Sequence, residues 1–221
     1  MDADYNLSTL VDEVKDYLQD ESYNEDRIIR FINRTYLETF GEVPYSFFEK
    51  TYEYPTIDSG ELEVPKDFQV MERLVVEKGK MKMPLKYVAP REYFEAYEGM
   101  KVYTYTVIGN VVHYHLPEVD CKDIIDDDPD NYYTLKMFYI AKPTKLENPT
   151  DRPLVPSEYS EILVLGAVAR AERIRGNYDF AQIYDNQKAE LITNMAMRYG
   201  PRQFDGGNRM KSPVNIRINE V

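Results

Sequence analysis

Residues 103–116, YTYTVIGNVVHYHL, contain the clearest strand and turn pattern of the β-rich middle of the chain. β-Branched and aromatic residues alternate with other residues on both sides of Gly109-Asn110. A glycine–asparagine pair supplies the positive φ angles that a two-residue hairpin turn requires. The stretch therefore predicts two antiparallel strands, residues 103–107 and 112–116, joined by a tight turn.

The same period-two pattern continues over residues 48–146, where Tyr, Val, Thr and Ile are separated by clusters of Gly, Pro and Asp. This region is predicted to be an antiparallel β-rich module. Further strands are expected at residues 50–54, 60–64, 71–77, 83–88 and 134–140, and a short helix is expected near residues 90–97.

Helical patterns lie on both sides of this module. In residues 1–47, one amphipathic helix is followed by a second that begins after Asn24 and ends at Gly41. Residues 147–200 lead from a proline-rich crossing into a helix that begins near Ser157 and a final helix that ends before Gly200. The predicted fold class is α+β. An antiparallel α-helical bundle, made of the N-terminal helix pair and a C-terminal helix hairpin, carries the β-rich module as an insertion.

Residues 201–221 differ in kind from the rest and are predicted to be an extended docking arm. They hold four basic and two acidic residues, and residues 214–219, VNIRIN, alternate apolar and polar side chains. Such a strand pattern without an internal partner is typical of strand addition to another subunit or protein. The residues expected at this interface are Arg202, Phe204, Arg209, Val214, Ile216, Arg217 and Ile218. The alternative is a tail that is disordered or folded only locally.

Composition excludes several classes of protein. With 39 acidic and 27 basic residues the net charge is −12, which disfavours binding to DNA through a basic face but is compatible with lining a DNA conduit. The single cysteine, Cys121, allows no intrachain disulfide and no thiolate zinc cluster. No apolar run is long enough to span a membrane, and the acidic N-terminus is unlike an export signal.

Candidate catalytic or metal sites are weak. His113 and His115 share one face of a predicted strand, but no third ligand has a fixed spacing. Carboxylates at residues 126, 128 and 130 resemble the start of a calcium loop, yet the glycine and glutamate that such a loop requires are missing. The 20 tyrosines lack the interleaved basic residues of a nucleic-acid stacking platform. The chain is therefore expected to be a non-enzyme without a cofactor.

Four segments together resemble a known family: RIIRFINRTYLETF (27–40), ELEVPKDFQVMERLVV (61–76), YTVIGNVVHYH (105–115) and the long segment from Tyr139 to Ala181. Their order is similar to that of podovirus-type head-to-tail adaptors of tailed phages, the tail tubular protein A-like proteins. In that family a turn matched by residues 64–68, VPKDF, leads into a strand, and a pattern matched by Pro143 through Ala167 leads into a helix.

The resemblance implies a structural virion protein in the tail or neck, assembled in the host cytoplasm. It implies a homo-oligomeric ring of about twelve copies between the portal and the tail, through which DNA passes. The implied partners are other copies of the chain, the portal, and a tail nozzle (tail tubular protein B-like) or a tail fibre. The C-terminal arm would reach the portal or a neighbouring subunit.

Two other functions stay open from the sequence. One is another structural subunit, of the tail tube or the baseplate. The other is a metal-dependent hydrolase that uses His113, His115 and nearby carboxylates.

Overall fold

Helices at both ends of the chain and strands in its middle give a mixed α+β structure. The computed structural model describes residues 5–54, 60–78, 80–95, 103–116 and 133–200. The described residues fall into two compact units. Residues 5–48 with 142–200 form one, called here the helical unit; those between 49 and 141 form the other, the β unit.

Four helices form the helical unit, and a fifth, short one belongs to the β unit. The bounds are α1 (Leu7–Leu18), α2 (Glu25–Phe40), α3 (Pro90–Glu95), α4 (Glu161–Arg175) and α5 (Tyr178–Tyr199). A 3₁₀ turn, Ser157–Tyr159, precedes α4, so the predicted start at Ser157 is the start of this turn rather than of the α-helix.

Local sequence fixes the ends of these helices. The side chain of Asn6 accepts a hydrogen bond from the Thr9 amide at 2.9 Å, and that of Asn24 accepts one from the Arg27 amide at 3.0 Å. Each bond gives an amide of the first helical turn a side-chain acceptor. Gly176 ends α4 with a φ of 83°, a left-handed conformation that glycine adopts without strain.

Helix α4 is the centre of the helical unit. It is buried without interruption from Ile162 to Ala169, and α1, α2 and α5 all contact it. Because residues 162–169 of α4 are apolar on every side of the helix, neighbouring elements must cover all of its sides. Helices α1, α2 and α5 provide this cover. By contrast, α5 buries only Ala181 and Met195 along its 22 residues.

Hydrogen bonds connect the proline-rich crossing that precedes α4 to α1 and α2. Asn33 of α2 donates to the Leu146 carbonyl at 2.9 Å and accepts from the Leu146 amide at 2.8 Å. The carbonyls of Pro149 and Asp151 accept from the first amides of α1. These bonds satisfy the first amides of α1, which helix geometry leaves unpaired, and the backbone groups of Leu146 in the crossing, so the crossing is an integral part of the helical unit.

The β unit contains one seven-stranded sheet. The strands are β1 (Glu49–Tyr54), β2 (Glu61–Glu63), β3 (Phe68–Lys78), β4 (Met81–Tyr87), β5 (Thr104–Ile108), β6 (Val111–His115) and β7 (Tyr133–Ala141). Their order in the sheet is β1-β7-β3-β4-β5-β6-β2. The predicted hairpin is β5–β6. In its turn Gly109 has the expected positive φ, at 60°, whereas Asn110 does not adopt a positive φ.

One strand pair corrects the expectation of an antiparallel module. β4 and β5 are parallel, with Lys86 opposite Thr104, whereas the other pairs along the sheet order are antiparallel. The connection between β4 and β5 contains α3, and a connection of that length can return the chain to the starting end of the sheet. Period-two patterning specifies a strand but not the direction of its neighbour.

The sheet is curled, so that its two edge strands meet. The hydroxyl of Tyr54, at the end of β1, donates to the carbonyl of Glu63 in β2 at 2.6 Å. Two irregularities in the β3–β7 register add local twist, which favours curling. The core inside the curl consists of Met71, Leu74, Val76, Leu85, Tyr105, Val112, Tyr114, Leu116, Leu135, Met137, Tyr139 and Ala141.

The predicted C-terminal arm, residues 201–221, lies outside the described residues. Within the part of the chain that the structure describes, no helix has both the length and the apolar character needed to cross a bilayer.

Candidate interaction surfaces

A close contact between α2 and α4 brings the arginines of both helices together. A Cβ atom placed on Gly166 of α4 would lie 2.3 Å from Thr35 Cγ2 and 2.7 Å from Thr35 Oγ1 of α2. Glycine therefore allows the two backbones to approach more closely than any other residue would. One turn further along α4, Arg170 Nε lies 3.5 Å from Thr35 Oγ1.

The groove between these helices is lined by five arginines and two apolar residues. It has a volume of about 570 Å³. We call it the arginine groove; its lining consists of Arg27, Arg30, Phe31 and Arg34 from α2 and Arg170, Arg173 and Ile174 from α4. A second depression of about 440 Å³ shares Arg30 and Arg34 with it and adds Lys145. The result is a concentrated basic surface on an acidic chain.

Three of these arginines have carboxylate partners. Arg34 Nε lies 2.7 Å from Glu38 Oε1, Arg170 pairs with the other oxygen of Glu38, and Arg173 pairs with Asp185 of α5. The hydrogen bond from Arg34, and then the charge of Arg170, hold the pKa of Glu38 below its usual value despite some burial. Glu38 is thus ionised near neutral pH and neutralises only part of the groove.

The other two arginines, Arg27 and Arg30, are not paired with a carboxylate among the described residues. Arg30 Nε donates to the backbone carbonyl of Asp26 at 3.1 Å. Within the described part of the chain, the exposed Arg27 side chain has no carboxylate partner. The groove therefore keeps positive charge that a partner could use.

An acidic face lies on α1 and the start of α4. Asp12 and Asp16 are exposed on α1, and Glu13 lies between them, partly buried. Burial, followed by the like charges of Glu161 and Asp16, raises the pKa of Glu13. Tyr17, 41% exposed, donates to Glu161 at 3.0 Å. We call Asp12, Glu13, Asp16, Tyr17 and Glu161 the acidic face.

Helix α5 exposes large apolar side chains. Tyr178, Phe180, Ile183 and Met197 are 69%, 59%, 51% and 82% exposed. Several such side chains on one helix are typical of a surface that another protein covers.

In the β unit, Asp67 connects three segments of the chain. It lies in the VPKDF turn, where its carboxylate accepts from Lys50 of β1 at 2.7 Å and from Tyr139 of β7 at 2.9 Å. The Phe68 amide donates to the Pro65 carbonyl and closes the turn. The match between this turn and the resembled family therefore has a structural explanation, because Asp67 fixes the entry to β3.

The two histidines occupy β6 but do not form a metal centre with other described residues. His113 Nδ1 lies 3.2 Å from Glu61 Oε1, and its ring contacts Phe94 edge-on. Among the described residues, no three His, Cys, Asp or Glu side chains are grouped to hold a metal. Cys121 and the carboxylates at 126, 128 and 130 lie outside the described residues.

The residues predicted for the docking interface also lie outside the described part of the chain: Arg202, Phe204, Arg209, Val214, Ile216, Arg217 and Ile218. Sequence reasoning missed the arginine groove. A signal was present, because Arg27, Arg30 and Arg34 follow a three- and four-residue spacing that places them on one helix face. Their meeting with Arg170 and Arg173 has no sequence signal.

Comparison with known proteins identifies a family over both units. A family model described as SU10 adaptor protein matches residues 5–216. No curated protein matches the chain. The family match confirms the resemblance to tailed-phage head-to-tail adaptors.

Proposed function

This chain belongs to the SU10 adaptor protein family, and from that membership we propose that it is the head-to-tail adaptor of a tailed bacteriophage. It is a structural subunit of the virion tail or neck, assembled in the host cytoplasm. Copies of the chain form a ring, expected to hold about twelve subunits, between the portal and the tail. The observation that carries this proposal is a family match that spans the helical unit, the β unit and most of the C-terminal arm.

The helices of the helical unit act as an antiparallel bundle that presents surfaces to neighbours. The exposed apolar residues of α5, the arginine groove and the acidic face all support a role in assembly. Each combines apolar side chains with either charge or large exposed area, as protein interfaces do.

The β-rich insertion and the arm supply further contacts. The insertion faces a tail nozzle of the tail tubular protein B-like kind, or a tail fibre. The arm docks on the portal or on a neighbouring subunit through Val214, Ile216 and Ile218, with Arg202, Arg209 and Arg217 providing positive charge. The family match extends to residue 216, which supports a role for the arm in the shared function.

In this arrangement DNA passes through the ring and is not bound as a ligand. The net charge of −12 is compatible with a channel wall that repels phosphates, through which DNA would pass without being retained. The channel needs no catalytic group.

The test is to mix the purified chain with the portal protein of the same phage and to measure the mass of the product by native mass spectrometry. A portal ring that gains about twelve copies is expected. Electron microscopy of the virion should then show the chain directly below the portal. A chain that stays monomeric beside the portal, or that lies in the tail tube or baseplate, would contradict the proposal.

The arm is tested by the same measurement on a chain that ends at Gly200. We expect the shortened chain to fold, because the helices and strands that the structure describes all lie before that glycine, and to lose portal attachment. Portal binding equal to that of the full chain would exclude the arm as the docking element.

A further inference from the structure

The arginine groove has a composition unlike the rest of the chain. With Lys145, six basic side chains line the two adjoining depressions, whereas the whole chain has an excess of acidic residues. Of the described residues that line them, Glu38 is the one carboxylate. Glu38 and Asp185 neutralise only part of these six positive charges, so the surface keeps a net positive charge that an acidic partner would offset.

The lining of the groove also contains apolar side chains. Phe31 and Ile174 both line it, and Ile174 is 56% exposed. Arginines around an apolar centre are typical of the energetically important part of a protein interface, because the guanidinium group forms paired bonds with carboxylates and its stem packs on apolar surface.

The acidic face has the complementary arrangement. Tyr17 supplies an apolar ring whose hydroxyl donates to Glu161, and Asp12 and Asp16 are exposed on the same helix. The like charges of this face crowd Glu13. Basic groups from outside would relieve this crowding.

We propose that the arginine groove of one copy receives the acidic face of a second copy. This inference rests on the proposed ring function and names the surfaces that would form it. The two surfaces share no residue, so copies can join through them head-to-tail. Head-to-tail contacts generate a closed ring when the rotation between neighbouring copies closes around an axis.

A protein partner fits the groove better than DNA does. Phosphates would meet the arginines but would leave Phe31 and Ile174 without an apolar counterpart. The excess of acidic residues over the whole chain also repels a nucleic-acid backbone.

The experiment uses charge reversal in the full chain. Arg27→Glu with Arg30→Glu reverses the two groove arginines that have no carboxylate partner among the described residues, and Asp12→Lys with Asp16→Lys reverses the acidic face. Lys66→Glu with Lys86→Glu is the matched control, since both lysines are exposed in the β unit. Each protein is mixed with the portal ring, and bound copies are counted by native mass spectrometry across a concentration series.

Each reversal at the proposed contact should weaken assembly at least about tenfold, because like charges then face each other. The control should assemble like the wild type. The chain that carries all four changes, at residues 12, 16, 27 and 30, should recover assembly because the charges are opposite again. If the glutamate variant does not fold, Arg27→Gln with Arg30→Gln should give a smaller loss of assembly in the same direction.

Three results would overturn the inference. If the arginine variants assemble like the wild type on a portal that the wild type decorates, the groove is not the contact, although the adaptor function stands. If the wild type forms no ring on the portal, both proposals fail. If the arginine variants assemble normally but lose affinity for a 30-base-pair DNA duplex, the groove binds nucleic acid instead.

Discussion

Asp67 lies where the chain enters β3, and its carboxylate holds β1 and β7 through Lys50 and Tyr139. Burial alone would raise the pKa of this carboxyl group. The hydrogen bonds from Lys50 and Tyr139 and the charge of Lys50 outweigh that effect, so its pKa lies below the usual value. A carboxyl group whose pKa is lowered by folding stabilises the folded state above its unfolded pKa, and this stabilisation disappears as the pH falls through the folded pKa.

Replacing Asp67 with Asn should therefore destabilise the β unit at pH 7 by about 1–2 kcal/mol, because two hydrogen bonds to a charged group are lost or weakened. The difference from the wild type should shrink as the pH falls below about 4, where the unfolded aspartate becomes protonated. Urea unfolding followed by circular dichroism at pH 7 and at low pH measures both effects.

Glu49→Gln is the control for this change, because Glu49 is exposed on β1 in the same unit. It should leave the free energy of unfolding nearly unchanged. An Asp67→Asn variant as stable as the wild type at pH 7 would show that the carboxylate does not hold the strands.

The contact between α2 and α4 shows how one glycine positions two elements. In an isolated helix, alanine is more favourable than glycine by about 1 kcal/mol. At residue 166, however, the added methyl group would overlap Thr35, which is almost fully buried. For Gly166→Ala, helix propensity therefore predicts a higher free energy of unfolding, whereas packing predicts a lower one.

We expect packing to dominate, so Gly166→Ala should lower the free energy of unfolding by about 1–3 kcal/mol. Introducing the same change into a Thr35→Ala chain should cost less, because the two closest Thr35 atoms are then absent. Thermal or urea unfolding of the four proteins in this double-mutant cycle gives the coupling energy. A stabilising Gly166→Ala would show that α2 and α4 approach less closely than described.

The β unit is inserted in the chain between the two segments that form the helical unit. β1 and β7 are neighbours in the sheet, with Glu49 opposite Ile140, so the β unit begins and ends at adjacent points. Neighbouring strands lie about 4.8 Å apart, a gap that a few residues can bridge. Each unit also has its own buried residues.

Residues 49–141 expressed alone should consequently fold into a β structure with a cooperative unfolding transition. The helical unit, with that segment replaced by a four-residue Gly/Ser linker, should keep its helical circular dichroism. A fragment of residues 49–132 is the control and should not fold, because it lacks β7, which pairs with both β1 and β3. If either intact unit proves unfolded alone, the two do not fold independently.

Much of this architecture was predictable because local signals specify it. Asn24 and Gly176 mark helix ends, and Gly109-Asn110 marks a hairpin turn, through hydrogen bonds and φ angles that involve only nearby residues. The long apolar run in α4 likewise indicates a buried helix. The resemblance to the phage adaptor family was based on such segments and on their order along the chain.

Local sequence specifies which segments are helices and strands, that the ends differ from the middle, and that the C-terminal segment differs in charge from the rest. The parallel pairing of β4 with β5, the curl that joins Tyr54 to Glu63, and the arginine groove arise only when the chain folds. The cause is the distance along the chain between the residues that meet. Arg34 and Arg170 are separated by more than a hundred residues, and only the close approach at Gly166 brings their charges onto one surface.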